Sequence, residues 1–310
     1  METAEIKAPA YIQFYPTLRC NYSCSFCFNR HLPQTSDISI EQFEKIASVC
    51  RGLGTDHIDI LGGEPALHPS ILDITRIISE KGIKTTISTN GSRPDVLYAL
   101  SENFDRNFVG IGISLNDSRL PQGLHDYIIS NQPVLKTVFT NTRAPENAML
   151  PYLGMQNMDC RLIFRDAADS ADLENCTGFE TFLNSLELLR RRYPGVKGVF
   201  CGGFIPDTKQ HPQLSGTRCP AGTTKLSVLC DGSVYPCYLF FRYKEFCLGN
   251  ILEDDFSEIW NNEILDFFRK SRGSPCANKS CGIYRQCRGG CPAMSYLAYN
   301  RLDAPDPRCS

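Results

Sequence analysis

The sequence predicts an α/β fold of parallel βα units, as an open sheet or a barrel, followed by a smaller cysteine-rich segment. Three observations carry this prediction. Short β-rich runs alternate with helical periodicity from Ile12 to about Leu189, with connections long enough for crossover helices. After about residue 205 the texture changes to loops rich in Gly, Pro and Cys. The 16 cysteines are also clustered, with Cys20, Cys24 and Cys27 near one end and nine from Cys219 through Cys309 near the other. The boundary falls between 204 and 205, giving units 1–204 and 205–310.

The elements follow in order. Ile12 to Leu18 is a strand, and the first cysteines lie on the loop after it. Ser39 with Gln42 makes a capping signature. Apolar residues at Ile40, Phe43, Ile46, Ala47, Cys50 and Leu53 then form a helical face ended by Gly54. His57 to Leu61 is a strand. Ile71, Ile74, Ile77 and Ile78 mark the next helix, stopped at Gly82. Ile83 to Thr89, Phe108 to Leu115, Val134 to Thr140 and Asp159 to Phe164 supply further strands. Phe179, Phe182, Leu183, Leu186 and Leu189 mark a helix ending near Pro194 and Gly195.

Composition narrows the class. The 32 Lys and Arg against 34 Asp and Glu give a net charge of −2. That balance lacks the basic surplus expected of a duplex-DNA or anionic-membrane binder, so neither partner is expected. No run approaches the ~18 apolar residues of a membrane helix. The start carries Glu2 and Glu5 and shows no basic n-region or apolar h-region, so no signal peptide is expected. The expected location is the cytoplasm, where thiols stay reduced and clustered cysteines serve more often as metal ligands or catalytic groups than as disulfides.

Cys20-Asn-Tyr-Ser-Cys24-Ser-Phe-Cys27 has the spacing C-x3-C-x2-C. Three thiolates this close suit three corners of a [4Fe–4S] cube with the fourth iron open; zinc or a redox thiol trio is the alternative. The strand His57–Leu61 runs into Gly62-Gly63-Glu64-Pro65, two glycines that permit close approach and one carboxylate able to accept from an ammonium. Alone, this is an ordinary tight turn.

Together the two motifs resemble the radical S-adenosylmethionine superfamily, in which C-x3-C-x-Φ-C and Gly-Gly-Glu-Pro occupy successive loops of a partial (β/α)6 barrel. Phe26 fills the aromatic position. Ser88-Thr-Asn90 ends the third strand and Ser114-Leu-Asn116 the fourth, at positions that contact the cofactor in relatives. Many relatives have Asp where Asn116 stands. Arg165 ends the sixth strand on the ligand-binding side, to pair with the cofactor's carboxylate or to form a structural salt bridge.

The C-terminal cysteines resemble the SPASM extension of these enzymes. Cys219 is followed by Gly232-Ser-Val-Tyr-Pro-Cys237, then Cys276, Cys281, Cys287, Cys291 and Cys309. The resemblance implies one auxiliary [4Fe–4S] cluster on Cys219, Cys237 and Cys291, with Cys230 or an open iron in the fourth place. A second would take Cys276, Cys281, Cys287 and Cys309. Four residues separate Cys276 from Cys281, where the family pattern has two.

Other features have plainer readings. Cys50 belongs to a helix's apolar face, and Cys160, Cys176, Cys201 and Cys247 are structural. Arg190, Arg191 and Arg192 suit the negative end of a helix. Phe256, Ile259, Trp260, Ile264, Phe267 and Phe268 form a helical stripe suited to the core.

The resemblance implies an oxidoreductase. Its N-terminal cluster would bind S-adenosylmethionine and generate a 5′-deoxyadenosyl radical that abstracts hydrogen from a substrate C–H. Flavodoxin or ferredoxin would deliver the electron. The expected substrate is a peptide or protein side chain, with Tyr238 facing it. Sulfatase-type maturases carry a carboxylate directly after the G-x4-C cysteine. Tyr238, with a phenol near pKa ~10, is a poor base in that place. The motif begins at Cys20, which leaves no expected room for a separate N-terminal peptide-binding domain. The alternatives are an enzyme acting on a small molecule such as a tetrapyrrole, an iron–sulfur electron carrier, and a zinc module.

Overall fold

In a computed structural model, residues 8–116, 120–140, 148–199, 219–269, 276, 278–280 and 289–309 are described. The expected domain boundary at 204/205 lies outside them, as do Cys201, Cys281 and Cys287.

Six strands run parallel in sequence order: β1 (Tyr11–Tyr15), β2 (His57–Ile60), β3 (Lys84–Thr89), β4 (Val109–Ser114), β5 (Val134–Val138) and β6 (Cys160–Ile163). The helices α1 (Ile40–Gly52), α2 (Ile71–Glu80), α3 (Pro94–Asn103) and α4 (Leu124–Asn131) cross over between the first five strands. Between β6 and β7 (Lys197–Val199) lies α5 (Phe179–Arg192), and β7 extends the parallel sheet. The capping box at α1 forms as the sequence predicts, with Ser39 Oγ accepting from Gln42 N and Gln42 Oε1 accepting from Ser39 N.

The sheet does not end with the barrel strands. On the other side of β1 lies β8 (Lys225–Leu229), parallel to it, and β9 (Ser233–Tyr235) and β10 (Gly249–Asn250) continue as an antiparallel meander. The C-terminal unit therefore shares one ten-stranded sheet with the barrel strands. The described remainder includes α6 (Phe256–Trp260), α7 (Leu265–Arg269) and α8 (Pro292–Tyr299).

Alternate side chains of each strand face opposite ways. Ile12 and Phe14 go to the helices, where Phe14 meets Phe43 at a 5.0 Å ring separation. The other face carries polar groups: Tyr11 and Gln13 on β1, Asp59 on β2, Thr86 and Ser88 on β3, Lys136 on β5. Cys50 and Cys160 are buried, as expected of core residues. The stripe expected as one helix from Phe256 to Phe268 is two short ones. Asn262 breaks it, accepting from Ile264 N at 3.0 Å and donating to Leu248 O at 3.2 Å. Its Ile259, Trp260 and Phe268 are buried, and Phe256, Ile264 and Phe267 are half-buried. Arg190 ends α5 by donating to Val196 O at 2.8 Å.

Candidate functional site

Parallel strands put all their C-terminal loops at one end of the sheet, and there three loops are knitted together. The loop after β1 carries Cys20, Cys24 and Cys27; Cys20 is exposed and the others half-buried, as is Phe26. Cys27 N donates to Cys24 O at 3.1 Å, closing a turn. The loop after β2 lies along the chain that leads into Cys20. Gly63 N donates to Thr17 O at 2.9 Å and Glu64 N to Arg19 O at 2.7 Å. This approach requires glycine: a Cβ on Gly62 would sit 2.4 Å from Thr17 O, and one on Gly63 2.1 Å from Arg19 O. At φ +136° Gly62 also occupies a conformation that other residues avoid.

Glu64 is 1% exposed, and its own loop and the end of β3 engage its two oxygens. Oε1 accepts from Ala66 N at 2.9 Å and from the Thr89 hydroxyl at 2.6 Å; Oε2 accepts from Asn90 N at 2.6 Å. Burial pushes its pKa up against those hydrogen bonds. The carboxylate expected to receive an ammonium thus fastens the β2 loop to the end of β3, with Pro65 buried behind it. Asn90 carries the link onward. Its Nδ2 donates to Asn21 Oδ1 at 2.9 Å and lies 3.8 Å from Cys20 Sγ. Asn116 Oδ1 accepts from Val138 N at 2.9 Å, tying the ends of β4 and β5, and Ser114 beside it is half-buried.

The sequence reading missed Lys136. Its Nζ donates to Ser88 Oγ at 2.6 Å, and burial pulls its pKa down to about 8. Gly112 makes room for it, since a Cβ there would meet Nζ at 2.9 Å. Deeper on the same face, Asp59 accepts from the Tyr11 hydroxyl and faces His57 Nε2 at 2.9 Å. Alternating polar residues were the available signal in β1 and β2, whereas β5, with Lys136 followed by Thr137, carries no such alternation.

Arg165 is 6% exposed and ion-paired to Asp172, and it donates to Asn175 O at 3.2 Å. Its buried Nε has no hydrogen-bond partner among the described residues. Tyr238, half-buried, donates its hydroxyl to Asp166 Oδ2 at 2.7 Å and packs on Phe28, the residue after Cys27, at 4.9 Å. The two rings line a cleft with Ala167, Ala168 and Met294. Asp166 is a second residue the sequence did not flag.

Of the C-terminal cysteines, Cys237 directly precedes Tyr238. Cys237 is 4% exposed, and Lys225 Nζ is 3.6 Å from its Sγ. Cys219 Sγ accepts from Ala221 N at 3.5 Å. Cys291 begins α8, Cys309 is exposed in the terminal turn Pro307–Cys309, and Cys276 is half-buried. Cys230 Sγ pairs with the Thr35 hydroxyl at 2.9 Å. Buried Tyr15 is within electrostatic reach of both Cys237 and Cys27. Among the described residues no three His, Cys, Asp or Glu side chains close round a single metal ion. The donors suit an iron–sulfur cluster by their chemistry, with soft sulfur ligands gathered on one loop and an orphaned buried N–H at Arg165 left for a carboxylate. Burial raises the Cys20 and Cys27 thiols, so cluster binding would displace their protons.

Comparison with known proteins agrees with this arrangement. The profile described as "Radical SAM superfamily" matches residues 14–138, and "Iron-sulfur cluster-binding domain" (SPASM) matches 219–292. The chain is similar to mycofactocin maturase MftC of Mycobacterium tuberculosis, at 25% identity over 98% of this chain and 83% of that one. It is similar to the AdoMet-dependent heme synthase of Methanosarcina barkeri at 22% identity, over 99% of this chain and 97% of that one. Among solved structures it shares the fold of Streptococcus suis SuiB bound to S-adenosylmethionine. The TM-score is 0.73 at 20% identity, over 98% of this chain and 78% of that one. SuiB has also been solved bound to its precursor peptide SuiA.

Proposed function

The chain belongs to the radical S-adenosylmethionine superfamily and carries a SPASM domain, and from that premise we propose that it oxidises a side chain of a peptide or protein. It is an enzyme whose cofactors are S-adenosylmethionine and [4Fe–4S] clusters. When bound, these supply hydrogen-atom abstraction from a substrate C–H.

The protein's own residues hold and orient. Cys20, Cys24 and Cys27 would ligate the N-terminal cluster. Glu64 and Asn90 fix the loops around it, with Phe26, Gly62, Gly63 and Pro65 shaping the cradle. Ser88, Ser114, Asn116 and Arg165 flank the cofactor's place on the later strands, and Lys136 sets Ser88. Cys219, Cys237 and Cys291 would hold one auxiliary cluster, and Cys276, Cys281, Cys287 and Cys309 another. Tyr238 donates its hydroxyl to Asp166, which fixes its ring at the cleft where a substrate would lie. The enzyme would work in the reducing cytoplasm, with flavodoxin or ferredoxin as donor.

The observation that carries the peptide reading is the likeness to a maturase over 98% of the chain. The heme synthase, matched over 97% of its own length, favours a tetrapyrrole as the second reading. Anaerobic incubation of the reconstituted enzyme with candidate precursor peptides and with iron porphyrins, followed by mass spectrometry, decides between them. Turnover of a porphyrin alone would overturn the peptide assignment. The Cys20→Ala, Cys24→Ala, Cys27→Ala triple variant should release no 5′-deoxyadenosine. Wild-type release from it would remove the basis of the mechanism.

A further inference from the structure

Lys225 is 1% exposed, an ammonium withdrawn from water at the start of β8. Burying a cation is costly unless an anion or a set of hydrogen bonds replaces the water. Its Nζ lies 3.6 Å from Cys237 Sγ, itself 4% exposed. A neutral thiol is a weak acceptor; a thiolate supplies a full charge.

The backbone binds Lys225 to the other cysteine as well. The Pro220 carbonyl, next to Cys219, accepts from the N–H groups of Thr223, Thr224 and Lys225, and Gly222 N donates back to Lys225 O at 2.8 Å. The loop bearing Cys219 therefore wraps the residue whose side chain reaches Cys237.

We propose that Lys225 is the built-in counter-charge of the auxiliary cluster held by Cys219 and Cys237, and that it raises that cluster's reduction potential. The inference rests on the auxiliary-cluster reading above. One-electron reduction adds one negative charge to the cluster and transfers no proton. A fixed cation within hydrogen-bond reach of a ligand sulfur stabilises the reduced form more than the oxidised one. This suits a cluster that accepts the electron a substrate radical gives up on oxidation.

The test is an anaerobic potentiometric titration of the reconstituted full-length enzyme, read by electron paramagnetic resonance and iron analysis. Wild type, Lys225→Met and Lys225→Arg are compared, and Cys237→Ala identifies the signal of the cluster concerned. Lys225→Met should lower that cluster's reduced-to-oxidised ratio at fixed potential by at least tenfold, about 59 mV for one electron. Lys225→Arg should stay near wild type, and the N-terminal cluster should keep its potential in both. An unshifted midpoint in Lys225→Met overturns the proposal. If Lys225→Met loses about four irons while Lys225→Arg keeps them, the counter-charge is required for assembly and the proposal stands. Equal loss in both variants means the charge is not what matters, and overturns it. A wild type with no signal removed by Cys237→Ala defeats the auxiliary-cluster reading itself, and this inference with it.

Discussion

Glu64 shows how a single side chain can hold a site without touching the chemistry. Its two oxygens take three hydrogen bonds from Ala66, Thr89 and Asn90 while nearly sealed from water. In Glu64→Gln one acceptor becomes a donor aimed at another donor, at a cost of about 1–3 kcal/mol for the buried group left unpaired. Affinity for S-adenosylmethionine should fall about tenfold or more while the iron content stays at the wild-type value; equilibrium binding by filtration measures the first and iron analysis the second. Unchanged affinity would show that Glu64 does not position the cradle. The cysteines divide by environment in the same way. Burial pushes the Cys50 thiol up to about 12 and Cys160 up to about 11. Only the thiolate is nucleophilic, so brief alkylation of the intact protein at pH 8 should leave both unmodified and label them after unfolding. These thiols hold their protons longer folded than unfolded. They contribute nothing to the pH dependence of stability below the unfolded pKa of ~8.5, and stability declines as pH rises above it. Labelling of Cys50 in the folded protein at pH 8 would contradict its place in the core.

At the scale of elements, the βα order and most strand positions were legible because each helix buries one stripe. The Ser39–Gln42 capping box is local chemistry that needs no tertiary information. The C-x3-C-x2-C and Gly-Gly-Glu-Pro loops were legible as motifs, but the reason for the glycines was not. Their neighbours Thr17 and Arg19 are more than forty residues away in sequence, and only the parallel β1–β2 pairing brings those carbonyls against Gly62 and Gly63. The same holds for Lys136, whose partner Ser88 lies two strands away, and for Asp166, which meets Tyr238 across the two units. The helix expected through Asn262 failed because that side chain competes for backbone groups. Gly63→Ala tests the loop contact. Its Cβ would meet backbone, which cannot swing aside, so a loss of about 1–3 kcal/mol or more is expected. Urea denaturation should show it, together with weakened S-adenosylmethionine binding. A variant as stable as wild type with normal binding would mean that the loops are not in contact as described.

For the molecule as a whole, one sheet runs from the barrel strands into the C-terminal unit through β1 and β8, and a second tie closes the far side. Arg308, 5% exposed, reaches Asp306 through Nε and Nη2 at 2.9 and 2.8 Å. Its Nη1 reaches Asp166 at 2.8 Å and Arg165 O at 2.7 Å, and the guanidinium stacks over Phe164 at 4.6 Å. Asp306 in turn accepts from Cys291 N at 2.8 Å. One arginine therefore pins the tail bearing Cys309 to the end of β6, to the start of α8 and, through Asp166, to Tyr238. Arg308→Met keeps the bulk but leaves the buried Asp306 carboxylate and the part-buried Asp166 without their cation, a cost of about 3–5 kcal/mol. The tail should detach before the sheet unfolds, because its ties to α8, such as Ser295 Oγ to Ala304 O and Pro305 O at 2.8 and 3.1 Å, are isolated hydrogen bonds while the sheet is held by continuous ladders. If Cys309 ligates the second auxiliary cluster, iron should fall from about twelve to about eight per chain, as in Cys309→Ala. Reductive cleavage of S-adenosylmethionine at the N-terminal cluster should persist, because Cys309 is not one of its ligands, and limited proteolysis should cut near residue 300 in Arg308→Met but not in wild type. A variant with the full iron content and an uncut tail would show that the arginine network does not hold the C-terminus to the barrel.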